Sequence, residues 1–309
     1  MEIVNIILPV FLVIGLGYLL RTCGFVDAVT NTALTRLVFY VAAPVLLFQG
    51  TAHTPLGRSV NLPMLIVIAA VTVLVGFAVY VAVARIAPAR RGVFAQGAHR
   101  SNMVFVGLPI ITNAFGDAVL GPAAVLIGFM VVWYNLLAVL FLTLPHHRLS
   151  ARDPKVWSGF AAKMIGNPLI IGCVAGIAAS AAGIAVPSAL SRGLDLVGRT
   201  ALPLALISVG AGLEFGKLRA EIAGSIVTSI IKLMVYPALV YAGLSLIGAG
   251  GMERQVPVLL MASPTAVVSY IMAKEMNGDE RLAGAIVIAS TIGSLVTISA
   301  WLVLFRLSG

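Results

Sequence analysis

Charged residues are scarce in this chain: Asp, Glu, Lys and Arg fill 10% of its 309 positions, where a soluble domain carries about 25%. Hydrophobic residues make up 60% and the mean hydropathy is +1.07, which excludes a water-soluble fold. Cysteine is nearly absent. Cys23 and Cys173 are the only two, each lies in or beside an apolar run, and neither has metal-ligand spacing around it, so no disulfide framework or metal site is expected. Acidic residues are few and peripheral: Asp27, Asp117, Asp195, Glu214, Glu275, Asp279 and Glu280 all fall near the ends of apolar runs. No pair of central carboxylates suggests a proton or sodium relay. HExxH, GxSxG and phosphate-cradling loops are missing too, and His146 and His147 stand in a basic stretch without further ligands. Nothing points to an enzyme, a cofactor or a bound metal.

What remains is a succession of apolar runs. They can be drawn at 3–21, 33–51, 62–87, 93–115, 119–144, 158–184, 194–213, 222–248, 256–274 and 282–306. Each approximates the 20 or so residues that cross a bilayer, which predicts ten membrane-spanning helices. Glu2 replaces the basic start of a signal peptide, and the first run lacks a small-residue cleavage pattern before Arg21, so it reads as a retained helix. The net charge of +9 would suit nucleic acid in a soluble protein; here Lys and Arg set orientation instead. With ten spans both termini share a side. Four cations (Arg58, Arg192, Arg254 and Arg306) belong to that side and eleven to the opposite loops and helix ends, which places the termini outside.

The two halves echo each other. Ala43-Pro44 resembles Leu202-Pro203 at an offset of 159, Gly116-Asp117 matches Gly278-Asp279 at 162, and Pro109 pairs with Pro264 at 155. Five spans per half is an odd number, so the second repeat would lie inverted, the plan of many secondary transporters.

Mid-span prolines mark the candidate site. Pro109 and Pro264 remove backbone donors and free carbonyls inside their spans, which lipid-exposed backbone does not tolerate. Two crossed breaks would aim helix N-termini at a shared point and favour an anion; the bland alternative is a simple kink. Ser101, Asn102 and Asn113 surround the first proline, and Ser263, Thr265, Ser269 and Tyr270 the second. Their neutral donors suit a carboxylate, although Ser and Thr also bond their own helix carbonyls or join helices. Lys232 falls in the middle of the eighth run, where a cation costs at least about 2.5 kcal/mol and is a functional candidate by default. It would attract an anion or titrate, or else snorkel or pair with Asp195 or Glu214. His99 and Arg100 precede Asn102 and belong either to a permeation path or to a helix cap. The Gly172/Gly176 and Gly212/Gly216 spacings read as close helix packing.

Taken together and in order, several segments resemble the auxin efflux carrier family. They are 8–11 (Leu-Pro-Val-Phe), 17–21 (Gly-Tyr-Leu-Leu-Arg), 36–44, 102–109, 203–212, 232–237 and 264–275. The resemblance covers nearly the whole chain and points to the family's bacterial malate and malonate carriers. It implies an all-α integral membrane fold of ten helices in two inverted five-helix repeats (1–144 and 158–309), joined by a cytoplasmic loop at 145–157, with broken helices 4 and 9 crossing. It also implies a scaffold helix pair that often mediates homodimers, and a bacterial inner-membrane location. The activity implied is secondary transport of a small organic acid anion, such as malate, malonate or an auxin-like acid, by efflux or exchange. In the family an asparagine a few residues before the fourth-helix proline helps bind the carboxylate; Asn102 takes that position. The short 145–157 segment replaces the plant carriers' long loop and favours a small mono- or dicarboxylate over auxin. A sodium-coupled organic-anion or bile-acid type symporter, or a sensor or channel-like protein on the same fold, are the competing readings.

Overall fold

The computed structural model describes residues 2–52, 61–144, 166–184, 186–213 and 221–307; the 145–157 segment and Glu214 lie outside them. Among the described residues the chain is helical, with one isolated bridge and no strand. The first half holds α1 (Glu2–Thr22), α2 (Ala28–Leu37), α3 (Ala43–Ala52), α4 (Leu62–Ala82), α5 (Pro88–His99), α6 (Leu108–Phe115) and α7 (Leu120–Thr143). The second holds α8 (Pro168–Ala181), α9 (Ser188–Arg199), α10 (Ala201–Ala211), α11 (Ile222–Ile230), α12 (Tyr236–Leu246), α13 (Met252–Ala262), α14 (Val268–Glu275) and α15 (Glu280–Leu307).

Among the described residues, seven stretches are long and apolar enough to cross a membrane: Asn5–Thr22, Ala28–Ala52, Leu62–Ala82, Asp117–Thr143, Ser188–Ala211, Ile222–Leu246 and Glu280–Leu307. Met103–Phe115 and Pro168–Ala181 are shorter apolar helices. Large apolar side chains such as Leu12, Ile66, Val81 and Val296 point outward, each more than half exposed, as expected where lipid is the solvent. The protein is therefore a multi-pass helical membrane protein.

Local chemistry explains where helices start and bend. The Asp27 carboxylate accepts the Thr30 N–H at 2.7 Å and caps α2; Asn167 does the same for α8 through Leu169 N–H at 3.0 Å, with Pro168 at the first helical position. Three prolines are absorbed rather than allowed to break the helix. Pro44, Pro109 and Pro237 each stand second in an α-helix that continues from a five-residue π turn: Val38–Ala42, Met103–Gly107 and Ile231–Val235. A proline has no N–H and its ring collides with the carbonyl four residues back. A wider π turn just before it relieves both problems.

The chain forms two compact units. One comprises residues 1–62, 104–132 and 162–213, the other 63–103, 133–161 and 214–309. In the first, α1 lies along α10 and α3 along α8. Glycine sets both distances. A Cβ on Gly17 would collide with the Ile207 carbonyl, and one on Gly210 with that of Ile14; Gly172 meets the Pro44 carbonyl in the same way, and Gly176 meets Thr51 Oγ1 and the Phe48 carbonyl. The expected packing role of the Gly172/Gly176 spacing is thus visible as backbone-to-backbone contact. In the second unit α11 packs on α15, α12 on α13, and α5 on both α11 and α15.

Candidate functional site

Two helix interruptions meet inside the second unit. Helix α5 ends at His99, Arg100 turns extended (φ −80°, ψ 100°), and a helix reopens at Met103. Helix α13 ends at Ala262, Ser263 is extended (φ −62°, ψ 152°), and α14 opens at Val268. The two short extended segments pair antiparallel at Ser101 and Thr265. Asn102 N–H donates to the Pro264 carbonyl at 2.7 Å, and Ala266 N–H to the Arg100 carbonyl at 3.0 Å. Each break thus satisfies backbone groups of the other, the requirement for irregular backbone at membrane depth.

The position of the first break corrects the sequence expectation. Pro109 lies in a continuous helix, buried behind its π turn, and the interruption comes seven residues earlier, at 100–102. Pro264 does sit at its break, so the residue facing it is Asn102 and not a second proline. Asn113 is exposed on α6 and donates to the Ile6 carbonyl of α1 at 3.2 Å.

The hydroxyls divide by use. Ser101 Oγ donates to the Met261 carbonyl at 3.1 Å, Thr265 Oγ1 to the Gly97 carbonyl at 2.8 Å, and Ser263 Oγ to the Leu260 carbonyl at 2.7 Å. The protons of Ser101 and Thr265 are committed across the crossing, and that of Ser263 to the end of its own helix. Thr265 N–H is itself held by Ser290 Oγ at 3.0 Å. Ser269 is buried on α14 with an unpartnered hydroxyl, and Tyr270 beside it is half-buried. The Asn102 side chain is 6% exposed and makes no hydrogen bond among the described residues, while its backbone is fixed by Pro264. It is the donor left over.

Two cations lie within this polar core. Arg100 donates to Asn135 Oδ1 at 2.7 Å and to the Tyr134 carbonyl at 3.2 Å. Lys232, fully buried in the π turn between α11 and α12, donates to the Met261 carbonyl at 2.5 Å and the Ser263 carbonyl at 2.7 Å. Neither forms an ion pair among the described residues. Asp195 pairs with Arg199 at 2.7 Å, and Glu214 lies outside the described residues. His99 is fully buried between the Tyr134 and Phe141 rings, with Nδ1 2.7 Å from the Ala95 carbonyl and Nε2 unpartnered.

Several members of this core escaped the sequence reading. Thr72, Tyr236 and Tyr134 link hydroxyls at 2.7 and 3.1 Å, and both tyrosines reach Met261 Sδ at 3.0 Å. Gln96 is buried with its Oε1 unpartnered. Tyr134-Asn135 and Gln96 are polar interruptions inside apolar runs, the one signal that would have marked them.

Paired helix interruptions in a multi-pass membrane chain fit what similarity shows. The model of a family described as "Membrane transport protein" matches residues 2–302. The chain belongs to this family, that of the auxin efflux carriers. A relative from Rhizobium meliloti (strain 1021) named "Putative malonate transporter" is 29% identical over 318 residues, covering 99% of this chain and 96% of its own. An "Uncharacterized transporter" from Methanothermobacter thermautotrophicus is 27% identical over 304 residues, with 96% of each chain covered. This auxin efflux carrier family member is accordingly a membrane transporter and not an enzyme.

Proposed function

We propose that this protein is a secondary carrier that moves a small organic acid anion, a mono- or dicarboxylate of the malonate or malate kind, by alternating access in efflux or exchange. The observation that carries the reading is the crossing itself. Among the described residues, two buried cations that have no carboxylate partner and one amide, Asn102, whose side chain makes no hydrogen bond lie at the breaks from which helices open at Met103 and Val268. Helix N-termini and unpaired cations favour a negative ligand. Arg100 and Lys232 supply long-range attraction, Asn102 donates to the carboxylate, and Ser269 lies on the adjoining helix. The name of the Rhizobium relative supports a dicarboxylate.

The architecture that accompanies this reading is ten spans in two inverted repeats, 1–144 and 158–309, with the helices broken at 100–102 and 263–266 as the fourth and ninth. Support comes from a repeated contact. Gly17 touches the Ile207 carbonyl, and 159 residues on, Gly176 touches the carbonyl of Phe48, which itself stands 159 before Ile207. The breaks agree with a second echo: Ser101 and Ser263 are separated by 162, as are Gly116 and Gly278. Both termini are periplasmic in a bacterial inner membrane by the distribution of Lys and Arg, and a homodimer through the first unit fits the family.

The test is counterflow of labelled malonate, and of a panel of small carboxylates, in proteoliposomes, alongside thermal shift of the purified protein. Exchange and a carboxylate-dependent rise in Tm are expected, because a ligand that binds only the folded state stabilises it. Absence of counterflow for every acid would overturn the carrier reading.

A further inference from the structure

Helices α12 and α15 leave an open groove between them on the outside of the second unit. Its volume is about 390 Å³, and its walls include Met234, Val235, Ala238, Ala300, Trp301 and Leu304. Thr297 adds a hydroxyl, but that hydroxyl is turned onto its own helix and donates to the Gly293 carbonyl at 3.3 Å. Both helices belong to stretches long and apolar enough to cross a membrane, and Met234, Val235 and Leu304 are more than 40% exposed. The groove therefore opens onto hydrocarbon. From Thr297 to Leu304 it follows α15 for about 10 Å, a third of a hydrocarbon core about 30 Å thick. Its origin is local. Pro237 lacks the N–H that the Leu233 carbonyl, four residues back, would accept; Trp301 Nε1 donates to that carbonyl instead, at 3.3 Å. The indole ties the two helices together here, and the small side chains of Ala238 and Ala300 leave the space beside it unfilled.

At one end the groove runs into an aromatic cluster topped by a cation. Trp301 packs on Tyr241 and Phe305 with ring centroids 6.0 and 5.8 Å apart, and the Arg254 guanidinium lies 4.5 Å from the centre of the Tyr241 ring. Arg254 Nη1 donates to Ser245 Oγ at 3.0 Å, near the end of α12, while its Nε has no partner. Among the described residues no carboxylate pairs with it. Arg306 follows Phe305 in the last turn of α15 at the same end; the neighbouring acid, Glu253, is exposed in the first turn of α13. We propose that the groove is a binding site for an anionic phospholipid, with one acyl chain lying along Ala238 and Ala300 and the phosphodiester at Arg254. Charge complementarity selects the anionic class, because a zwitterionic lipid brings its own ammonium towards a guanidinium. Simple anchoring at the membrane surface accounts for Tyr, Trp and Arg at a helix end, but not for an apolar slot leading to them. A chain held there covers Met234 and Val235 of the π turn and braces the bend before Pro237.

The test uses delipidated protein in maltoside micelles doped with dioleoyl phosphatidylglycerol or dioleoyl phosphatidylcholine, read by Tm and by native mass spectrometry. Phosphatidylglycerol should raise Tm, since a ligand of the folded state stabilises it, and should bind about fivefold tighter than phosphatidylcholine, the worth of one cation near an anionic headgroup. Arg254→Gln should abolish that preference and keep the weaker binding of phosphatidylcholine. Ala300→Phe, which fills the slot, should reduce binding of both lipids. Equal binding of the two lipids by the wild type would overturn the proposal, as would an unchanged preference in Arg254→Gln. A Tm rise with inorganic phosphate alone, or an Ala300→Phe protein that binds lipid normally but loses a dimer, would overturn it in favour of a free anion or a second copy of the chain. Arg254→Gln decides the matter where Ala300→Phe does not fold. No organic acid enters these measurements, so their outcome is separate from that of the carrier reading.

Discussion

The two units share close glycine contacts, Gly92 against the Phe141 carbonyl in the second included, but they treat buried polar groups differently. In the first, helices touch through glycine: Gly17 and Gly210 bring α1 and α10 together, Gly172 and Gly176 bring α3 and α8 together. Buried hydroxyls there are discharged close by, as in Thr51 Oγ1 to the Leu47 carbonyl at 2.8 Å or Thr35 against Ser208 at 2.6 Å. The second unit is packed more wastefully, with broken backbone and, among the described residues, two cations without an ion pair and unpartnered atoms on Gln96, His99, Ser229 and Ser269. Close packing is cheap stabilisation in lipid; buried charge is not. The difference teaches where selection for function has overridden stability.

The largest effect should come from disturbing the close packing. Gly210→Val inserts a side chain where even a Cβ collides with the Ile14 carbonyl and lies 3.0 Å from Tyr18 N. Backbone cannot swing aside as a side chain can, so the loss should reach the upper end of the about 1–3 kcal/mol typical of overpacking, or more. The control is Gly15→Ala on the same helix α1, where a Cβ meets nothing within 4 Å; it should be neutral or stabilising by up to about 1 kcal/mol from helix propensity. Equal Tm values for the two variants would break the comparison.

In the second unit the expected pattern is the reverse, with binding lost and stability kept. Asn102→Ala removes a side chain that makes no hydrogen bond among the described residues, so Tm without ligand should hold. A hydrogen bond to a charged group contributes about 1.5–3 kcal/mol, which corresponds to a ten- to hundredfold weaker Kd. Unchanged affinity in a titration would remove Asn102 from the site. Arg100→Met tests the cost of the charge. It forfeits the bonds to Asn135 and the Tyr134 carbonyl but also relieves an unpaired buried cation, and such exchanges are often neutral or stabilising. Carboxylate affinity should fall by about tenfold while Tm stays level or rises; a large drop in Tm would make Arg100 structural.

Much of this division could be read in the amino acids. Apolar runs locate the membrane helices, Gly172 and Gly176 mark close contact, and Asn102, Lys232 and Pro264 stand out by residue type inside their apolar runs. Pro109 misled because a missing N–H marks a local problem and not its solution: a π turn repaired it, while the true break fell at Arg100-Ser101-Asn102, where no proline stands. That break depends on partners more than 160 residues away, Pro264 and Ala266, and composition carries no record of such pairing. The Tyr134–Tyr236–Thr72 chain was hidden for the same reason. Each residue is unremarkable in its own run.

The smallest effect belongs to a solvent-exposed cap of the first unit. Asp27 accepts the Thr30 backbone N–H at 2.7 Å, and that bond holds its carboxyl below the ordinary value of 3.8. A depressed folded pKa means that the charged form is favoured by folding. Its contribution is therefore complete above the unfolded value and fades as pH falls through the folded one. Asp27→Ala should lower Tm slightly at neutral pH through loss of the cap, and the two Tm curves should converge as the medium is acidified below about pH 4. Asp27→Asn keeps an acceptor oxygen without a titrating group, so its curve should run close to wild type at neutral pH and stay flatter into acid. Parallel curves for wild type and Asp27→Ala across the whole range would mean that α2 does not draw on this bond.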